Sequence, residues 1–189
     1  MDKLKFLLTT SLLFALTIST FGQTIPHRDK YIAPAFCDLL IVGGTVVMMD
    51  GGRRVIEDGA VAIKDGKILK VGPRAVVTKN LTAKRIINAA GKAVIPGLIN
   101  THTHAAMSLF RGISDDLDLN DWLTKFIFPA EAKNVNEEFV RAGTRLGMAE
   151  MIRGGTTTYC DMYYFEDAVA DETKKAGMRG VLGETVIRF

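Results

Sequence analysis

Two of the three histidines in the 189-residue chain, His102 and His104, stand one residue apart in the stretch "VIPGLINTHTHAAM", residues 94–107. Side chains at i and i+2 of a β-strand leave the same face. Two neutral imidazoles placed this way can both reach one divalent ion at ~2.0–2.1 Å, which neither a lone histidine nor an adjacent pair on one strand could do. The same spacing also suits two histidines that only hydrogen-bond in a core, so position must decide. Here an apolar run passes a Pro96–Gly97 turn, and the histidines end what reads as a fully buried strand. In a barrel of parallel strands that end is where chemistry is done. The reading is a metal-binding pair, with zinc as the default ion and iron or nickel compatible with two imidazoles.

Other residues carry weaker chemical signals. Glu131, in "FIFPAEAKN", is by residue type either a hydroxyl-binding carboxylate or a solvated loop charge. Trp122 suits the core better than a ligand ring, and Asp115, Asp116 and Asp118 of "SDDLDLND" read as loop and capping residues. Asp161, just past Cys160, is a weak candidate for the same inner face as the histidines. Cys37 and Cys160 are too few and too far apart for a disulfide framework and read as buried thiols. His27 reads as solvated.

Positioning the pair falls to two kinds of element. "DLLIVGGTVVMMD", "AVAIKDGKILKVG" and "RIINAAGKAVIPG" are short β-rich runs parted by glycine turns, and the "KDGK" step at Lys64–Lys67 signals a hairpin. Residues 37–96 are therefore expected to form a small antiparallel β module. After Pro96 the strand "GLINTHTH" leads into a long connection through Asp121. A helix follows in "NVNEEFVRAGTRLGMAEMIRGG", with Asn134 and Glu137 as its capping box and Phe139, Ala142, Leu146 and Ala149 as its apolar face. Gly154–Gly155 stops it. Strand "TTTYCDMYY", helix "EDAVADETKKAG" and strand "RGVLGETVIRF" complete a β-α-β-α-β series, which requires a parallel sheet. The fold class expected is α/β, with residues 97–189 as the first units of a (β/α)8 TIM barrel. A closed barrel needs eight strands in ~250 residues. Three strands would leave both sheet edges open, so the chain is expected to be the front part of a longer protein.

Composition narrows the class. With 48% hydrophobic and 24% charged residues the chain is globular rather than disordered, and a net charge of +3 is too small for a nucleic-acid footprint. Residues 1–22 open with Lys3 and Lys5, continue with an apolar run from Phe6 to Ile18 and end in small and polar residues. That is the layout of a secretory signal peptide cleaved near Gly22 or Gln23. The apolar run is short of the ~20 residues that span a bilayer, which disfavours an uncleaved anchor. Residues 23–36 read as a flexible linker, and the mature protein as exported, periplasmic or secreted, without membrane insertion.

"PGLINTHTHAAMSLFRGISDDLDLNDWL", residues 96–123, resembles the metal-binding opening of the amidohydrolase superfamily. It is most similar to the branch that holds 5-methylthioadenosine/S-adenosylhomocysteine deaminases and triazine and chloro-hydrolases. The resemblance runs from about Asp38 to Phe189. It implies that His102 and His104 are metal ligands, and that Glu131 contacts the ribose of an adenosine-like substrate. It also implies that residues 37–96 are the N-terminal part of a β-sandwich. The activity implied is hydrolytic deamination with release of ammonia. Export would suit a scavenged nucleoside or another substituted heterocycle, so ring-amide cleavage and dechlorination stand as alternatives, as does a non-catalytic remnant. The family's further histidines, proton-shuttling glutamate and metal-binding aspartate are expected beyond residue 189, since no histidine follows His104. Two protein ligands fall short of the three that a catalytic zinc site uses, so these 189 residues alone are expected to be inactive.

Overall fold

The computed structural model describes residues 35–186; the leader at 1–22, His27 and nearly all of the linker lie outside the described residues. Two sheets are present. The first joins β1 (Ala35–Val47), β2 (Val55–Lys64), β3 (Lys67–Pro73) and β4 (Leu81–Asn88) in the order β3-β2-β1-β4, with the short β5 (Ala93–Val94) also on β1. The β2–β3 turn is the one the sequence predicts: Asp65 and Gly66 both take positive φ, 50° and 71°, as a two-residue hairpin loop requires. The module is mixed rather than antiparallel, because β4 and β5 run parallel to β1. After two hairpin reversals β3 points along β1, and the one-turn helix α1 (Arg74–Val77) carries the chain back before β4 starts. β1 also begins at Ala35, inside the segment expected to be linker. Cys37, Leu40, Ala60, Ala62 and Val77 form the core of this part.

The second sheet holds the histidines. β6 (Leu98–Thr103), β7 (Thr156–Tyr163) and β8 (Arg179–Glu184) lie side by side, all parallel. The crossovers run through α4 (Glu137–Arg153) and α5 (Glu166–Ala176), as the β-α-β-α-β pattern predicts. Alternation along β7 sorts its two faces. Tyr159, Asp161 and Tyr163 are buried, whereas Cys160 and Met162 are at least partly exposed on the other side. Tyr159 ties the sheet to α5 through a 2.5 Å hydroxyl contact with Thr173.

Two expectations for α4 fail, each for a physical reason. The cap is Asn136, whose side chain accepts from the Phe139 N–H at 3.0 Å. Asn134 instead closes α3 (Phe128–Asn134) and donates to the Ala130 carbonyl. The buried face is Val140, Gly143, Thr144 and Met148; of the expected face Phe139 packs against this core, while Leu146 is 40% exposed. Counting apolar side chains missed this because glycine makes the contact. The backbone of α4 packs against the 3-10 turn Ala105–Phe110, and a methyl group at Gly143 would overlap the Ala106 carbonyl. Arg141, braced by Glu137 of its own helix, then joins α4 to α5 through Asp171 and the buried Glu172.

Between β6 and α4 the chain is helical in short pieces. Asp118 caps α2 (Leu119–Asp121) by accepting from the Asp121 N–H, as expected of a capping residue. A π-helical turn, Trp122–Ile127, follows directly. The Phe128 N–H reaches back five residues to the Leu123 carbonyl rather than four to Thr124, which widens the turn, and Pro129, without an N–H, follows in the first turn of α3. None of the helices among the described residues is long and apolar enough to cross a membrane.

Candidate active site

β6 delivers both imidazoles to one place. Their ring centroids are 5.0 Å apart and the rings stand at 81° to each other. Two imidazoles on one tetrahedral zinc at ~2.0–2.1 Å per bond put their centroids roughly 5 Å apart, so the spacing fits a shared ion. The strand is not regular here. Asn100 pairs with Tyr159 and Thr103 with Asp161, so Thr101 and His102 together oppose Cys160. Such a bulge re-aims a side chain, and it is common beside active sites. The His102 N–H donates to the Asn100 side chain at 3.2 Å, which helps hold the kink.

The His104 ring is oriented by its neighbour strand. Its Nδ1 lies 2.6 Å from the Met162 carbonyl. A carbonyl only accepts, so Nδ1 carries the proton and Nε2 keeps the lone pair a metal needs. Among the described residues no three histidines, cysteines or acids come together as a metal cluster, and the pair of imidazoles is what could hold an ion here. That set fits two positions of a zinc site.

Glu131 comes to the same cavity. A space of about 210 Å³ is walled by His104, Trp122, Phe128, Glu131, Met162 and Tyr163. It adjoins a larger one of about 930 Å³ that shares Phe128, Glu131 and Tyr164 but touches neither histidine. The π-helical turn and α3 place Trp122, Phe128 and Glu131 here, so Trp122 stands on the cavity wall rather than in the core. The Tyr163 hydroxyl donates to Glu131 Oε1 at 2.8 Å. Burial first, and the Glu131 carboxylate second, push the Tyr163 phenol far above its ordinary range, so it remains a donor at every working pH. One glutamate oxygen is thus engaged by the protein, while Oε2 has no hydrogen-bond partner among the described residues.

Asp161 does not join the inner face. It pairs in register with Thr103, shares the helix-facing side of the sheet and is 4% exposed. Cys37 is buried as expected, but Cys160 is only partly so, because it falls on the face of Met162. Tyr163 and Met162 were not singled out from sequence. The alternation in "TTTYCDMYY" was the available signal, since Tyr163 and Met162 stand at the end of β7 beside the end of β6.

Comparison with known proteins agrees with this geometry. The sequence profile of the Amidohydrolase family matches residues 93–189. A 5-methylthioadenosine/S-adenosylhomocysteine deaminase from Syntrophobacter fumaroxidans is 53% identical over 152 residues, covering 80% of this chain and 34% of the relative. A 5'-deoxyadenosine deaminase from Methanosarcina mazei is 47% identical over the same length and with the same coverage. Among solved structures, a zinc-bound adenosine deaminase from Xanthomonas campestris superposes with a TM-score of 0.76 at 44% identity, over 78% of this chain and 34% of that one. An atrazine chlorohydrolase from Arthrobacter aurescens, complexed with zinc, gives 0.67 at 26% identity, over 77% and 35%. The chain spans about a third of the length of the curated relatives it matches. With more than half of its residues matched by the family profile, and with zinc-bound relatives sharing its α/β fold, the chain belongs to the amidohydrolase family.

Proposed function

We propose that the chain is the N-terminal part of a zinc-dependent hydrolase that removes the amino group from an adenosine-like nucleoside. The observation that carries this reading is the meeting of His104 and Glu131 on one cavity, an imidazole and a carboxylate facing the same space. His102 and His104 would hold the ion, and the remaining ligands would come from residues outside this chain. When bound, a divalent ion acidifies water enough for it to act as a nucleophile near neutral pH. In the reaction, water oxygen bonds to the amine-bearing ring carbon, the C–N bond breaks, and the amino group leaves as ammonia with one of the water's protons while the ring keeps the oxygen and the other.

The chain's own residues do the holding. Glu131 Oε2 accepts from a ribose hydroxyl while Tyr163 fixes Oε1. Trp122 and Phe128 supply flat apolar surface for a purine. The names of the relatives share an adenosine body and differ at the 5' carbon, which fits recognition through ribose and base. We also propose that residues 1–22 direct export, which N-terminal sequencing of the secreted or periplasmic protein would check.

The test is ammonia release by the zinc-loaded complete protein from 5-methylthioadenosine, S-adenosylhomocysteine and 5'-deoxyadenosine. Stoichiometric ammonia from at least one is expected. No ammonia from any aminopurine nucleoside overturns the reading. Chloride release from a chlorotriazine in its place would favour the second reading, to which the fold shared with atrazine chlorohydrolase points.

A further inference from the structure

Behind the histidines, on the helix-facing side of the sheet, one buried carboxylate touches both residues that flank His104. Asp161 Oδ1 lies 2.5 Å from the Thr103 hydroxyl and accepts from the Ala105 N–H at 2.8 Å. The Thr103 hydroxyl is also 2.8 Å from the Cys160 carbonyl, and with a single proton it serves one acceptor at a time. The Ala105 N–H opens the 3-10 turn and is one of the donors that a helix start leaves without a partner. Between these two anchored points His104 takes φ −128° and ψ 74°, neither strand nor helix. Its ring is gripped separately by the Met162 carbonyl. Thr103, His104 and Ala105, at and just past the end of β6, are therefore held by three consecutive residues of β7.

We propose that Asp161 is a positioning residue for the metal centre: by pinning Thr103 and Ala105 it fixes the backbone of His104, so that Nε2 is already aimed when the ion arrives. This rests on the reading of His102 and His104 as ligands. Without the clamp the turn can pivot about His104, and the ring must be ordered at the moment of binding, which weakens affinity. Partners that orient a metal-binding histidine are worth about 10–100-fold in metal affinity.

The experiment titrates zinc into the zinc-free complete protein against a chromophoric chelator, and melts the zinc-free protein alongside. Asp161→Ala is expected to lose about 10–100-fold in zinc affinity, and Asp161→Asn to fall between it and the wild type. Thr103→Val is expected to weaken zinc binding as well, and Thr103→Ser, which keeps the hydroxyl, to restore it. A purely structural role would lower the melting temperature and leave affinity alone, so a folded Asp161→Ala variant that binds zinc like the wild type overturns the proposal. Where both Asp161 variants fail to fold, the Thr103 pair decides, and equal affinity in Val and Ser overturns it. Should His104→Ala bind zinc as tightly as the wild type, the ligand reading falls and the positioning role with it. Should only the Asp161 variants match the wild type, the ligand reading stands and this inference alone is lost.

Discussion

Replacing Glu166 with glutamine should make the protein more stable above pH 7 and unchanged near pH 4.5. Glu166 opens α5, is 7% exposed and has neither carboxylate oxygen in a hydrogen bond among the described residues. Burial is the largest influence on it, followed by the negative charges of Asp161 and Glu184, with a weaker opposing pull from the Tyr163 backbone. Together they push its carboxyl up from an ordinary 4.5 to about 7. The sign follows directly. The unfolded glutamate loses its proton near 4.5 while the folded one keeps it to about 7, so the folded state binds more protons across that window. Stability is therefore full below pH 4.5, falls as pH rises to about 7, and is flat above. At about 1.4 kcal/mol per unit, that decline amounts to about 3 kcal/mol. For a cooperative unit of this size it corresponds to roughly 6–12 °C in melting temperature. Glutamine has nearly the same shape and no charge, so Glu166→Gln should lose the falling limb. The assay is thermal unfolding of wild type and variant by circular dichroism at half-unit steps from pH 4.5 to 8.5. Curves that stay parallel over the whole range would refute the reasoning, as would a variant less stable than the wild type at pH 8.

Three further outcomes are expected. His102→Ala and His104→Ala should each weaken zinc binding by at least about 100-fold, measured by chelator competition, because losing a ligand exceeds losing a partner of one. Tyr163→Phe removes the donor to Glu131 Oε1 and should raise KM for nucleosides by about 10-fold, the effect of one hydrogen bond to a charged group. In that variant kcat should change less, and steady-state kinetics with 5'-deoxyadenosine would show it. Gly143→Ala forces a methyl group into the Ala106 carbonyl and should cost about 1–3 kcal/mol by overpacking, read as a lower melting temperature.

What the sequence disclosed was governed by side-chain periodicity, and what it hid was governed by backbone. The parallel order β6-β7-β8 and the same-face histidines follow from alternating runs of strand and helix, and both are legible in "INTHTH" and "TTTYCDMYY". The buried face of α4 differs from its apolar periodicity because Gly143 and Gly147 pack by backbone approach, to which apolar counting is blind. The bulge at Thr101–His102 leaves no compositional trace, since threonine and histidine suit a regular strand equally well. From its place after Cys160, Asp161 reads only as a weak candidate for the inner face. Register with Thr103 reverses that, and register between strands more than fifty residues apart is a tertiary fact. Glu131 could be placed only by resemblance, because the π-helical turn that precedes α3 has no signature in side-chain periodicity.

Both halves of the candidate site are held by β7. The Met162 carbonyl fixes the His104 ring, and the next residue, Tyr163, fixes Glu131. Asp161, one residue earlier, anchors the turn that follows the strand. Because side chains alternate along a strand, slipping β7 by one residue would carry Asp161 to the inner face and Met162 toward the helices. The His104 side and the Glu131 side of the cavity would then lose their supports together. Their relative placement is thus set by the register of one strand, and that register is in turn fixed by the buried Tyr159–Thr173 contact and by the pairing of β7 with β8. A substitution that loosens β7 should accordingly disturb zinc affinity and nucleoside KM in parallel, whereas one confined to α3 should move KM alone.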